Sequence, residues 1–478
     1  MSGEVHRVKP SLITLHWRDS LALGLLAAFT LLFFRLIVFF DLILLDYDVF
    51  TYFYPQEHYA ASRLLQGELP LWNPYLFAGA PFLANIQTGV FYPLNLLFLL
   101  FSVPRAYACS VVLHTFLAGA FAYAFARRSL GLGALGALTS ALIFAFGGFF
   151  SSLATHLNQL QAAAWLPLLF LLFGEAYRQR RMGWGLAGGV ALCLQILAGH
   201  TQVLYITGMG LALYLAGDLA LLLRDGLVAG RSGRSTPPRR LLAALGGAWR
   251  ARAGSIPPLL AALGLGLGLA AAQLLPTMEL SNYSIRAGGL TYDEASAFSF
   301  PPWEWARGLL PLYLDPPPFS EWQAYAGVVA LLLAVAALTS RARHRQALLL
   351  AGLALVALAL ALGQFDPLYP RLYRLVPGLK LFRVPARWLL LYSFAIAALA
   401  GMGLEALRQS SVRWRRLGVI LAVLILPPAA YALVPSPYPL ALPSAETMLL
   451  WLGFGAVALV VMVAAGDQHG GRPSPQPS

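Results

Sequence analysis

The residues able to do chemistry gather in a few short stretches. In "LDYDVFTYFYP", Leu45 to Pro55, Asp46 and Asp48 flank Tyr47. A carboxylate placed there can accept a proton or bind a cation, and a solvated helix end is the structural alternative. "ATHLNQLQAAAW" brings together His156, Asn158, Gln159 and Gln161, and "AGHTQVLY" supplies His200 and Gln202. A lone His at a helix end is more often a capping group than a catalyst, and two such stretches expected on one face shift that weighting only modestly. "AAQLLPTMELSNYSIR" adds Gln273, Glu279 and Arg286, with Glu279 readable as a second acid or as a plain interfacial carboxylate. "PGLKLFRVPARWLLLYS" adds Lys380, Arg383 and Arg387. Guanidinium groups bind phosphate oxygens in pairs, so a lipid-linked phosphate suits these arginines; a salt bridge to Asp48, Glu279 or Asp366, or contact with anionic headgroups, is the structural alternative. Finally, "PLWNPYLFAGAPF" carries Trp72, Asn73 and Tyr75 among turn-forming prolines and Gly79. Its rings can stack on a ligand or form an aromatic belt.

The elements that must position these groups are set by composition. Of 478 residues, 59% are hydrophobic and 11% charged, and the mean hydropathy is +0.69. Too few polar side chains remain to coat a soluble core, so the chain is read as an all-α polytopic membrane protein. Lipid offers no partner to an unpaired backbone amide, and helices satisfy their own. Apolar runs near the roughly 20 residues a spanning helix needs predict about twelve spans: 21–40, 106–126, 134–153, 161–176, 185–199, 203–223, 256–275, 324–340, 347–363, 387–404, 417–434 and 447–465. The first is expected to be a retained span and not a cleaved signal, because no small-residue cleavage site follows it. This divides the chain into a cytoplasmic tail (1–20), an integral membrane domain (21–465) and a disordered cytoplasmic tail (466–478).

Charge orients the spans. With both termini inside, 23 Lys and Arg fall on the cytoplasmic side, nine outside and Arg35 within the first span, whereas 12 acids fall outside and seven inside. The formal charge of +13 is therefore a topology signal; basic residues scattered over short loops without a stacking platform do not suggest nucleic acid. The outer side receives the long segments 41–105, 276–323 and 364–386, the first expected to contain short interfacial helices such as one over 56–66. Inside, the basic segment 224–255 has the Gly, Ser, Pro and Arg content of a flexible linker against anionic lipid. Cys109 and Cys193 suggest neither a disulfide nor a metal framework. No phosphate-binding loop, dinucleotide fingerprint, HExxH helix or nucleophile elbow is present.

Taken together, "DVFTYFYP", "GELPLWNPYLFAGAPFLANIQTGVFYPLN", "THLNQLQAAAWLPL", "GHTQ", "QLLPTMELSNYSIR" and "LFRVPARWLLLYSFAIAALAGMGLE" resemble the YfhO-type family of bacterial membrane proteins, over about residues 45 to 405. The resemblance implies a GT-C-like glycosyltransferase architecture in the bacterial cell (inner) membrane, with its active face extracytoplasmic. The implied donor is a sugar on polyprenyl phosphate, and the acceptor an envelope glycan, glycolipid or glycoprotein; teichoic acids are among the polymers linked to such proteins. It further implies an acid in the first outer loop as base or metal-site residue, matched here by Asp48, seven residues before Pro55, with Mg or Mn as the divalent ion if one is used. The expected chemistry is inverting transfer. Arg383 and Arg387 stabilise the leaving phosphate, His156, Asn158, Gln159, His200, Gln202, Glu279 and Arg286 bind substrate, and Trp72, Asn73 and Tyr75 line the sugar or the polyprenyl path. The alternatives are a transporter or flippase of a lipid-linked intermediate, which would place polar groups in broken helices at the bilayer midplane, and a non-catalytic membrane scaffold.

Overall fold

A computed structural model describes residues 16–40, 42–229, 236–285, 287–302, 304, 319–340 and 343–409. The expected spans 417–434 and 447–465, and Arg286, lie outside the described residues. Each of the first ten expected spans contains helix. Seven helices among the described residues are long and apolar enough to cross a membrane, and Met182–Leu197 and Val328–Thr339 are apolar but shorter. The only strands among the described residues form a two-residue ribbon.

The chain enters through α1 (Trp17–Phe33) and α2 (Arg35–Phe39). A π-helical turn, Val49–Phe53, then runs into α3 (Tyr54–Leu65), which covers most of the stretch expected to form a short helix in the first outer segment. Pro55 suits the opening of α3, where its missing N–H costs nothing. Beyond α3, β1 (Trp72–Asn73) pairs antiparallel with β2 (Ala80–Pro81), with Trp72 opposite Pro81. The chain between them turns through Phe77 and Ala78, both at positive φ, and Gly79 at φ 122°. A Cβ on Gly79 would lie 2.7 Å from the Trp72 ring, so the indole is part of the hairpin's own packing.

The bundle comprises α4 (Val103–Arg128), α5 (Ala134–Phe146), α6 (Leu157–Ala164), α7 (Leu166–Gln179), α8 (Met182–Leu197), α9 (Thr201–Ala229), α10 (Pro237–Arg252), α11 (Ile256–Leu269), α12 (Ala271–Asn282), α13 (Val328–Thr339), α14 (His344–Leu362) and α15 (Leu389–Arg408). Helices α6, α7 and α15 are buried on almost every side and form its centre. Where helices approach in lipid, small residues let backbones touch. A Cβ on Gly403 would fall 1.8 Å from the Leu333 carbonyl oxygen, and one on Gly185 2.1 Å from that of Pro258. These contacts bring α15 against α13 and α8 against α11.

One expectation is corrected. Residues 224–255 do not form a flexible linker throughout: α9 stays helical to Ala229, and α10 returns antiparallel along it. Ala244 packs against Gly226, and the Arg252 guanidinium donates to the Asp218 carboxylate at 2.9 Å. Leu and Ala at helical spacing gave α10 a face to bury, which outweighed its composition.

A buried network fastens Tyr92 and Asn95 to the bundle. Trp165 donates to the Tyr92 hydroxyl at 2.9 Å, and that hydroxyl lies 2.7 Å from His114 Nε2. His114 Nδ1 is 2.7 Å from the Ser110 carbonyl, so Nδ1 carries the proton and Tyr92 donates. Gln161 donates to Asn95 Oδ1 at 2.7 Å. Gln161 therefore anchors the loop.

Candidate functional site

A cavity of about 520 Å³ is bounded by seven separate parts of the chain. Asp48, Thr51 and Tyr52 come from the π-helical turn, Gln87 from the short 3-10 helix after the hairpin, and His156, Asn158 and Gln159 from the start of α6. His200, Thr201 and Gln202 come from the start of α9, and Arg383, Val384 and Arg387 from the approach to α15, with Phe298, Phe319 and Glu321 closing the remaining side. Most of these segments lie at helix ends. Functional groups collect there because a helix interior in lipid tolerates few polar side chains.

Asp48 sits at the entry to the π turn with its side chain half exposed. π turns interrupt regular helices and recur at functional sites. The Asp46 carboxylate accepts the Asp48 backbone N–H at 3.4 Å, whereas the Asp48 carboxylate lines the cavity, with Oδ2 3.5 Å from His156 Nε2. Position separates the two acids. His156 itself stands between a 3-10 turn and the first residue of α6. Next to it Gln159 is almost fully buried, and its side-chain nitrogen has no partner among the described residues. A donor held dry and unpaired in a cavity wall favours a ligand that brings an oxygen.

His200 combines both roles weighed from the sequence. Its Nδ1 accepts the Val203 N–H at 3.2 Å, capping α9, so the ring's proton resides on Nε2. Burial, reinforced by the Arg387 guanidinium and by His156, holds this imidazole well below its ordinary value, and it is a neutral donor at physiological pH.

Arg387 is the joint of the site. Its Nε and Nη2 donate to the two Glu321 oxygens at 2.6 and 2.8 Å, and Nη1 donates to Gln202 Oε1 at 2.7 Å. Gln202 in turn donates to the carbonyls of Arg383 at 2.7 Å and Val384 at 3.3 Å. Val384 is held at φ 62°, a left-handed conformation that a β-branched residue rarely adopts. Arg387 is thus committed to a structural ion pair, and its partner is an acid that none of Asp48, Glu279 or Asp366 had suggested. Arg383 differs. It lines the cavity, is exposed, and makes no side-chain hydrogen bond or ion pair among the described residues.

Other expected site residues lie elsewhere. Trp72 and Tyr75 belong to the exposed hairpin, while Asn73 is buried beneath it and accepts the Tyr75 N–H at 2.9 Å. None of the three lines the cavity. Glu279 is exposed on α12, also outside it. Helix α12 instead holds the chain after the hairpin through Gln273, which donates to the Leu83 carbonyl at 2.8 Å.

Sequence reasoning missed two acids. Glu321, in "FSEWQAY", is one, and its signal was a lone carboxylate shortly before a span on the side that carries the unexplained arginines. Glu57 is the other: it is buried in α3, and desolvation raises its pKa from 4.5 to about 8. As for a divalent cation, no group of three or more His, Cys, Asp or Glu side chains among the described residues is placed to hold one. Of the two carboxylates lining the cavity, Glu321 is fully engaged by Arg387. Asp48 with His156 does not make a resident Mg or Mn site, since such ions ask for several oxygen ligands.

The profile of the family described as "Bacterial membrane protein YfhO" matches residues 23–470. The chain belongs to this family. No curated protein matches it in sequence. Among solved structures, the YfhO-family chain is similar to ArnT from Cupriavidus metallidurans bound to undecaprenyl phosphate. The TM-score is 0.44 at 14% identity, over 92% of this chain and 70% of that one. It is also similar to the oligosaccharyltransferase AglB from Archaeoglobus fulgidus, determined with an inhibitory peptide and a dolichol-phosphate. There the TM-score is 0.43 at 12% identity, over 97% of this chain and 57% of AglB.

Two outcomes are expected from the buried acids. Glu321→Gln leaves the half-buried Arg387 without its counter-charge and lowers unfolding free energy by about 1.5–3 kcal/mol, with a second change, Arg387→Gln, restoring part of the loss; a single variant that melts with wild type in detergent contradicts the ion pair's structural role. For Glu57 the folded pKa lies above the unfolded one, so the folded state binds the extra proton and stability falls as pH rises from about 4.5 to about 8. Melting profiles across that window should flatten in Glu57→Gln, and equal pH slopes in the two proteins contradict the assignment.

Proposed function

We propose that this YfhO-family protein is a GT-C-like glycosyltransferase whose cavity moves a sugar from a polyprenyl-phosphate donor to the hydroxyl of an envelope acceptor on the extracytoplasmic face. One observation carries the reading: an available carboxylate, Asp48, and an available guanidinium, Arg383, line the same cavity with neutral amides between them. Transfer of a sugar needs a base at the attacking hydroxyl and positive charge at the departing phosphate, and both have to be in place before the reaction. The family resemblance and the excess of Lys and Arg on the opposite ends of the spans support the same face and the same donor class.

In this reading Asp48 takes the proton of the acceptor hydroxyl as its oxygen attacks the anomeric carbon. The bond to the phosphate oxygen breaks on the opposite side, with inversion, and polyprenyl phosphate leaves with the electron pair. Arg383 meets the growing charge, while Glu321 keeps Arg387 from doing so and Arg387 holds the Arg383 backbone through Gln202. His156 steadies the Asp48 carboxylate, His200 offers a neutral N–H, and the unpaired Gln159 amide takes a sugar oxygen. Trp72, Asn73 and Tyr75 are left to shape the outer hairpin. A Mg or Mn ion, if it takes part, is held mainly by substrate phosphate and water.

Asp48→Asn, correctly inserted and melting as wild type, is expected to lower the transfer rate from a polyprenyl-phosphate sugar by about a hundredfold or more, the range typical of a lost general base. Transfer at the wild-type rate contradicts the assignment.

A further inference from the structure

One strained side chain in the Asp48 cavity takes no part in the proton and phosphate chemistry. Phe298 lines the cavity at φ 58°, a left-handed conformation rare for a bulky residue. The backbone around it is pinned at four points. The Ala297 carbonyl accepts the Val384 N–H at 3.1 Å, and Phe300 donates its N–H to the Ala361 carbonyl at 2.8 Å. The Trp322 indole donates to the Phe298 carbonyl at 3.3 Å, and Ser299 Oγ accepts the Gln364 N–H at 3.0 Å. Strain held in this way recurs at ligand clamps.

The outcome is a ring kept in the open. Phe298 is 47% exposed, and it stacks on Phe319 with centroids 4.9 Å apart and planes inclined by 29°. Phe319 in turn meets the Trp322 ring edge-on at 5.7 Å. Two nearly parallel rings backed by an indole make a rigid, flat surface on the cavity wall. The remaining lining is mostly polar: Thr51, Gln87, Asn158 and Thr201 bring hydroxyls and amides. Gln159, 1% exposed, brings a side-chain nitrogen without a partner among the described residues. Uncommitted charge is scarce. Glu321 neutralises Arg387 and His156 lies on Asp48, so Arg383 is the one uncommitted guanidinium among the described lining residues.

We infer that Phe298 and Phe319 form a stacking platform for a neutral pyranose and, resting on the transfer proposed above, that this ring is the acceptor. A pyranose has a face of C–H hydrogens, which meets the negative face of an aromatic ring, and a rim of hydroxyls, which pairs with the amides around it. An isoprenoid chain here would leave those amides dry and unpaired. The donor is held by its carrier and its phosphate. An acceptor arriving from water brings neither, and has to be held by its own ring. A polyanionic acceptor, such as a chain of polyol phosphates, finds no second cation once Arg383 holds the donor phosphate. The acceptor class is therefore a neutral glycan.

The test is saturation-transfer NMR of the full-length protein in detergent, with methyl β-glucopyranoside, methyl β-galactopyranoside and glycerol 1-phosphate as probes. Wild type should pass saturation to the C–H hydrogens of one pyranoside face and none to glycerol 1-phosphate. Glycine adopts φ 58° without strain, so Phe298→Gly removes the ring and keeps the backbone. Phe298→Gly and Phe319→Leu should each weaken pyranoside binding by about tenfold or more, and Phe298→Tyr, which keeps a ring, should bind as wild type. Absence of pyranoside binding by wild type, unchanged binding in either ring-removing variant, or a preference for glycerol 1-phosphate would each overturn the platform. Binding is read without turnover, which separates the two claims. A cavity that binds pyranosides through Phe298 but transfers no sugar refutes the transfer reading and leaves the platform standing. Transfer onto poly(glycerol phosphate) at a rate that Phe298→Gly leaves unchanged refutes the platform's acceptor role alone.

Discussion

The cavity depends on one guanidinium. Arg387 joins Glu321 to Gln202, and through Gln202 it fixes the backbone at Arg383 and Val384. Three chain segments far apart in sequence meet at that side chain. A buried ion pair of this kind adds little net stability over a well-packed apolar substitute. What it contributes is placement, since Glu321 is buried and costly to leave without its partner. It also determines which positive charge is available: with Arg387 neutralised, Arg383 is the cation that the cavity presents.

A second constraint runs through the whole molecule. Lipid forces backbone polar groups to be satisfied within helices, so side-chain chemistry is pushed to the helix ends. The cavity obeys this closely. Asp48 lies at a π turn, His156 and Asn158 at the opening of α6, His200 at the cap of α9, and Arg383 on the irregular approach to α15. The strained residues follow the same logic, because Val384 and Phe298, both at positive φ, line this cavity. Strain of that kind persists only where the surroundings over-determine the backbone; Gln202 holds the Val384 carbonyl, and Trp322 donates to that of Phe298.

Much of this was legible in the sequence. Hydropathy located the helices because a spanning segment has few alternatives, and charge counting put His156, His200, Asp48 and Arg383 on a common face. What one dimension could not convey was pairing. Glu321 looked like one of many loop acids, and only the fold shows it opposite Arg387. Trp72, Asn73 and Tyr75 were drawn toward the site by their composition, yet a two-residue ribbon and the packing of Trp72 on Gly79 turn them away. Helix α10 was hidden by the Gly, Ser and Pro residues around it; its Ala face became visible only against Gly226. Glu57 read as a polar residue of an amphipathic helix, and its burial comes from the bundle beneath α3.

The central claim is that the Asp48 cavity holds the lipid-linked phosphate. The most direct measurement is an electron cryo-microscopy structure of the wild-type protein with a non-hydrolysable polyprenyl-phosphate sugar. The account predicts the phosphate beside the Arg383 guanidinium and the anomeric carbon between it and the Asp48 carboxylate. A phosphate bound outside this cavity, with Arg383 and Asp48 facing only water, would contradict it.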